Sequence, residues 1–218
     1  MSICFAISDI DFELTKDVVS IIGGVVAALG VVAAAAIGCL GLSTWRKQIK
    51  SGGDHELARK ILISVYKYRE SVKSLRYPIM VASETAPDEN EAVSNDPNIE
   101  RFAGTVRAYE RRLKSAESVR IFLLADLLEA EALWGGSLKP LIDNLVHFER
   151  EFGAYLRSHL GSMNPYNSEQ MRESHREILK TRRDVLFDDM SDKVDDFTKE
   201  FNGRINEVEV YLKRKLIR

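Results

Sequence analysis

The chain has 218 residues, 45% of them hydrophobic, and a formal net charge of −2, enough for one sizeable domain plus an appendage. Four of its 33 acids and one of its 31 bases precede Trp45, leaving 30 bases against 29 acids beyond it, a balance that argues against a protein that coats nucleic acid. Cys4 and Cys39 are the only cysteines, too few for a disulfide framework or a Cys-based zinc site, which suits a reducing compartment.

From Val18 to Thr44 no residue is charged, and the stretch exceeds the roughly 20 residues that cross a bilayer core. It predicts a transmembrane helix over 18–45, behind a short acidic N-terminal segment, 1–17. A buried soluble helix seldom stays uncharged for so long and then ends in Trp45 and a cluster of cations. A cleavable export signal needs a basic front, where this chain reads SDIDFELTKD. The AIGC ending at Cys39 loosely resembles a lipoprotein processing box, but it sits late and behind acidic residues. Lys16 alone stands before the span, whereas Arg46, Lys47 and Lys50 follow it; this asymmetry places the N-terminus outside and the long remainder in the cytoplasm, with Trp45 at the headgroups. Gly23, Ala27, Gly30, Ala34 and Gly38 put small side chains along one stripe of the span, the pattern by which membrane helices approach closely and self-associate.

Residues 46–53 form a basic juxtamembrane segment in which Gly52 and Gly53 are expected to act as a hinge, with Asp54 capping a new helix. Leu57, Ile61, Val65, Tyr68, Val72 and Leu75 then repeat at helical spacing, and Pro78 closes this first soluble helix. Segment 81–98 holds five acids, two prolines and no Lys or Arg, so it reads as a solvated, mobile loop. Asp96 and Pro97 restart a helix, with Ile99, Phe102, Val106, Tyr109 and Leu113 as its stripe; "IFLLADLLEAEALW" extends it to Gly135–Gly136, a length on the order of 50 Å. A third helix opens near Ser137 and Pro140 and carries Leu141, Leu145, Phe148, Phe152 and Tyr155 to about Gly161. After Ser168 a last helix is expected to run to the C-terminus, with Phe187, Met190, Val194, Phe197, Phe201, Ile205, Val208 and Leu212 as a heptad-like, coiled-coil seam. The expected fold is all-α: one N-terminal transmembrane helix followed by an antiparallel bundle of about four long helices, the cytoplasmic unit 54–218. The tip with Lys213, Arg214, Lys215 and Arg218 beside Leu212, Leu216 and Ile217 suits anionic headgroups as well as a helix C-terminus.

No pattern for catalysis, metal or cofactor appears. His55, His147, His159 and His175 lack the spacing by which helical bundles hold metal. The acids Asp188, Asp189, Asp192, Asp195 and Asp196 read as a solvated outer face. Two basic stripes, Arg107, Arg111 and Lys114 on one helix and Arg172, Arg176, Lys180 and Arg183 on the last, could meet phosphates or other anions, although interleaved Glu110, Glu173 and Glu177 favour pairing within the chain.

The span, its "STWRKQIK" flank and the helix "ELARKILISVYKYRESVKSLRYP" resemble bacterial single-pass inner-membrane proteins of uncharacterised families. That resemblance covers roughly the first third; it implies a bacterial inner-membrane location and a cytoplasmic helical domain, and no activity. The resulting expectation is a membrane-anchored helical interaction module, a tether or sensor subunit that is not an enzyme. Its partners would be the lipid bilayer, other copies of itself in a homo-oligomer, and a cytoplasmic protein. The alternative is a self-assembling membrane effector, for example in phage defence, that perturbs the bilayer when its cytoplasmic domain is triggered.

Overall fold

The computed structural model describes residues 9–89, 91–188 and 194–216, with side chains from residue 15 onward except 43, 47 and 50. Among the described residues there are six helices and no strand: α1 Asp9–Leu75, α2 Ala82–Thr85, α3 Pro97–Trp134, α4 Lys139–Met163, α5 Glu169–Lys180 and α6 Asp196–Leu216. The chain divides into two compact units, Met1–Gly53 and Asp54–Arg218.

In the first unit, α1 is apolar on every side: Val19, Ile22, Val26, Leu29, Val32, Ile37 and Leu40 are all exposed. Among the described residues α1 is the one helix long and apolar enough to cross a membrane. Thr44, near the end of the apolar stretch, returns its hydroxyl to the Leu40 carbonyl at 2.9 Å, so this polar group needs no water. The helix expected to start anew at Asp54 does not, because α1 continues through Gly52 and Gly53. Asp54 is therefore not a cap; its carboxylate accepts a hydrogen bond from the Trp134 indole Nε1 at 2.7 Å.

In the second unit the stripe read from the sequence forms the core. Leu57, Ile61, Val65, Tyr68, Val72 and Leu75 are buried, with Leu145, Phe148, Phe152 and Tyr155 of α4 and Phe197, Phe201, Ile205, Val208 and Leu212 of α6. Aromatic rings lock the centre: Phe148 lies 5.1 Å from Phe197 and 5.4 Å from Phe201, edge to face, a geometry favoured by the ring quadrupole. Glu149 is buried among them and accepts from the Tyr68 hydroxyl at 2.7 Å and from Arg120 at 2.8 Å. A buried carboxylate is tolerable only with such partners. Of the stripe expected on early α3, only Tyr109 is fully buried.

The terminal helix is not continuous. α5 starts at the Ser168 cap, whose side chain accepts from Met171 N–H, and stops at Lys180. Val185 and Leu186 then enter the core in a non-helical segment. Arg76, a buried residue just past α1, holds this segment in place. Its guanidinium donates to the carbonyls of Val185 (2.8 Å) and Phe187 (2.6 Å) and to Asp195 and Thr198 (3.1 and 2.8 Å). These bonds supply donors to backbone carbonyls that stand outside any helix ladder. Asp195 accepts from Thr198 N–H at 3.0 Å and so opens α6. Phe187 and Val194 are consequently exposed rather than part of a seam, and Met190 lies outside the described residues. Gly161 sits inside α4 at a close approach: a Cβ there would meet the His175 ring of α5 at 2.5 Å.

Candidate interaction surface on helix α3

Arginine stands at 107, 111 and 112 on α3, and the acidic segment before the helix folds back onto all three. Arg112 grips Glu84 with two hydrogen bonds of 2.8 Å and takes the carbonyls of Tyr77 (2.5 Å) and Ile79 (2.7 Å). Arg111 holds the carbonyls of Ser83 and Glu84 at 2.8 Å and Asp88 at 2.7 Å. Arg107 holds the Thr85 carbonyl (2.8 Å), Glu91 (2.7 Å) and Glu100. Gly104 leaves room beneath this strap, since a Cβ would already touch Thr85 at 3.4 Å. Hydrogen bonds from Arg112 hold the Glu84 carboxyl below the usual carboxylate range, and those from Arg107 do the same for Glu91. The expected mobile loop is thus a pinned strap. Paired charge-assisted hydrogen bonds are the strong kind, and three of the five acids that suggested solvation in the sequence, Glu84, Asp88 and Glu91, are partners of these arginines.

The second basic group, Arg172, Arg176, Lys180 and Arg183, is likewise engaged within the chain. Arg172 pairs with Glu169, Arg176 with Glu169 and Glu173, and Lys180 with Glu177, all along α5. Arg183 does not continue that stripe, because α5 has ended; it clamps Glu151 of α4 at 2.7 and 2.8 Å and Glu200 of α6 at 2.8 Å. Of the acidic run, Asp195 and Asp188 are half-buried beside Arg76 rather than on a solvated face, Asp196 pairs with Lys199, and Asp189 and Asp192 lie outside the described residues. No group of three or more His, Cys, Asp or Glu side chains placed to hold a metal ion occurs among the described residues. At the C-terminal tip Leu212 is buried, Lys213 pairs with Glu209, and Lys215 stands 5.2 Å from the Trp134 ring centre; Ile217 and Arg218 lie outside the described residues. In the first unit, Gly23, Gly30 and Gly38 have nothing within 4 Å of a Cβ position, Ala27 and Ala34 are exposed with them, as are Trp45 and Arg46, and the side chains of Lys47 and Lys50 lie outside the described residues.

Beyond Arg112 the strap is absent, and past Glu117 and Ser118 the outer side of α3 is bare and, apart from Glu129, apolar. Ile121 is 57% exposed, Phe122 69%, Leu128 66% and Leu133 59%, and Ala125 and Ala132 are exposed between them. The opposite side is fully engaged: Leu123, Leu127 and Ala130 are buried, and Asp126 accepts from Ser64 at 2.7 Å and from Lys60 at 2.8 Å. Scattered exposed apolar residues are ordinary, but a contiguous row on one helix marks an interaction surface. Sequence reasoning passed over it by reading "IFLLADLLEAEALW" only as helix. The signal was there: a helix apolar nearly all round has more than one face to cover. No family model, curated relative or solved structure matches this chain.

Proposed function

We propose that the chain is a membrane-anchored helical interaction module without catalytic activity of its own, and that the bare side of α3 is where its protein partner docks. The row Ile121, Phe122, Ala125, Leu128 and Ala132 carries this reading, because it is apolar and uncovered on a unit whose basic clusters already have partners within the chain. In this reading α1 anchors the chain as a single-pass protein of a bacterial inner membrane, with its N-terminus outside, and residues 54–218 form an antiparallel cytoplasmic bundle. Gly52 and Gly53 supply the flexibility between anchor and module, since glycine weakens a helix by about 1 kcal/mol relative to alanine. An external phosphate at Arg107, Arg111, Arg172, Arg176, Lys180 or Arg183 would have to displace a carboxylate of the chain itself.

The test is labelling of full-length protein in membranes. In a background with Cys4 and Cys39 changed to alanine, Ala125→Cys should react with a water-soluble maleimide several-fold more slowly than Asn144→Cys, an exposed position on α4. Equal rates would mean that nothing covers the surface.

A second reading, the self-assembling effector, is favoured by the open glycines along one stripe of α1, which suit close helix contact in a bilayer. Triggered expression that leaves membrane potential unchanged would dismiss it.

A further inference from the structure

Along the exposed side of α3, Ile121, Ala125, Leu128 and Ala132 stand at steps of four, three and four, so bulky and small side chains alternate in one row. The alternation is self-complementary when two such rows run antiparallel about a two-fold axis between positions 126 and 127. Ile121 of one copy then lies opposite Ala132 of the other, and Ala125 opposite Leu128, so each bulky side chain meets an alanine. Parallel alignment would instead set Ile121 on Ile121 and Ala125 on Ala125, leaving crowding and voids that close packing does not tolerate. We propose that the bare side of α3 binds a second copy of this chain through an antiparallel, two-fold α3–α3 contact. This rests on the reading of that surface as an interaction site and names its occupant.

Charge and area are both compatible with this occupant. The centre of the row carries no charge for an acidic or basic partner to match. Glu129 at its edge shares the Lys60 cation with Asp126, and in the antiparallel pair the position opposite it is Leu124 rather than another acid. A lipid surface would call for Lys or Arg along both edges, whereas Glu117 and Glu129 flank the apolar stretch. The exposed parts of Ile121, Phe122, Leu128 and Leu133 amount to on the order of 400 Å² per copy, about half of what each partner contributes to a stable complex of free proteins. A contact of that size is weak between soluble molecules. It suffices for copies anchored in one membrane, where tethering raises the effective concentration toward the millimolar range.

The experiment uses full-length protein with Cys4 and Cys39 changed to alanine, co-expressed as two differently tagged copies, one Ala125→Cys and the other Leu128→Cys. Mild oxidation in membranes should join the two copies at least about tenfold faster than it joins Ala125→Cys to the control Asn144→Cys, as expected for partners held at high effective concentration. Adding Phe122→Lys to both copies should abolish that advantage, while resistance of segment 81–96 to protease reports that the unit is still folded. Cross-linking no faster than the control, or faster between two Ala125→Cys copies than between 125 and 128, overturns the antiparallel dimer. Maleimide labelling in the same membranes separates the two readings. Slow labelling of Ala125→Cys without cross-linking leaves the surface occupied by some other protein and removes only the second copy, whereas fast labelling without cross-linking removes both.

Discussion

The two halves of α3 present the same outer line of the helix and treat it in opposite ways. Arg107, Arg111, Ser118, Phe122, Ala125 and Ala132 follow one another on that line in steps that keep one face. Over the first half the chain covers itself, with three arginines binding the carbonyls of Tyr77 and Ile79 and the strap with three of its acids. Over the second half no described segment covers that line, and apart from Glu129 its exposed residues turn from arginine to Ile, Phe, Leu and Ala. Polar cover is directional and can be supplied by a short local segment, whereas an apolar row needs area, which a folded partner supplies.

Breaking the covered half should have the largest effect. Arg112→Ala would leave Glu84 without its partner and the Tyr77 and Ile79 carbonyls without donors, and we expect a loss of about 3–5 kcal/mol, as for a severed buried ion pair. Thermal unfolding would read the loss, and protease cutting within 81–96 would accelerate. Gly161→Ala tests a covered helix face elsewhere, where α5 lies on α4; the clash with His175 should cost about 1–3 kcal/mol in denaturant unfolding.

Acid should loosen the strap and spare the bare half. Hydrogen bonds from Arg112 and Arg107 depress the Glu84 and Glu91 pKa values. Their stabilising contribution is therefore fully present above the ordinary glutamate value, about 4.3, and is lost as pH falls below it through the folded-state values. Protease sensitivity of 81–96 should rise across that acidic window and not between pH 6 and 8. Tyr109→Phe removes a buried hydroxyl that has no hydrogen-bond partner among the described residues and whose pKa burial pushes up to about 12. It should change stability by less than about 1 kcal/mol, toward greater stability. Leu128→Lys should alter the unfolding of the unit by less than about 0.5 kcal/mol, as exposed substitutions do. A loss of several kcal/mol would show Leu128 to be core and erase the contrast between the two halves.

Much of this was legible beforehand because it depends on local patterns. The uncharged run 18–44 announced a helix able to cross a membrane, Asp96–Pro97 and Gly135 bounded α3 as expected, and the stripe from Leu57 to Leu75 is core. The misreadings share a cause. Gly52–Gly53 looked like a break, 81–98 like a free loop, and Arg183 like part of a helical stripe, because each was judged against its neighbours in sequence. Segment 81–98 and Arg183 are held by partners far along the chain, whereas α1 simply runs on through the two glycines.

Periodicity and composition alone determined that the chain is helical, where the apolar helix lies and which side of most helices faces inward, since these follow from side chains a few residues apart. Only the tertiary structure decided that Arg76 would hold the non-helical segment between α5 and α6, that Arg107, Arg111 and Arg112 would bind the strap, and that the apolar line of α3 would be left bare. Those outcomes depend on which distant carbonyl or carboxylate comes within hydrogen-bonding reach, a quantity that no local spacing encodes.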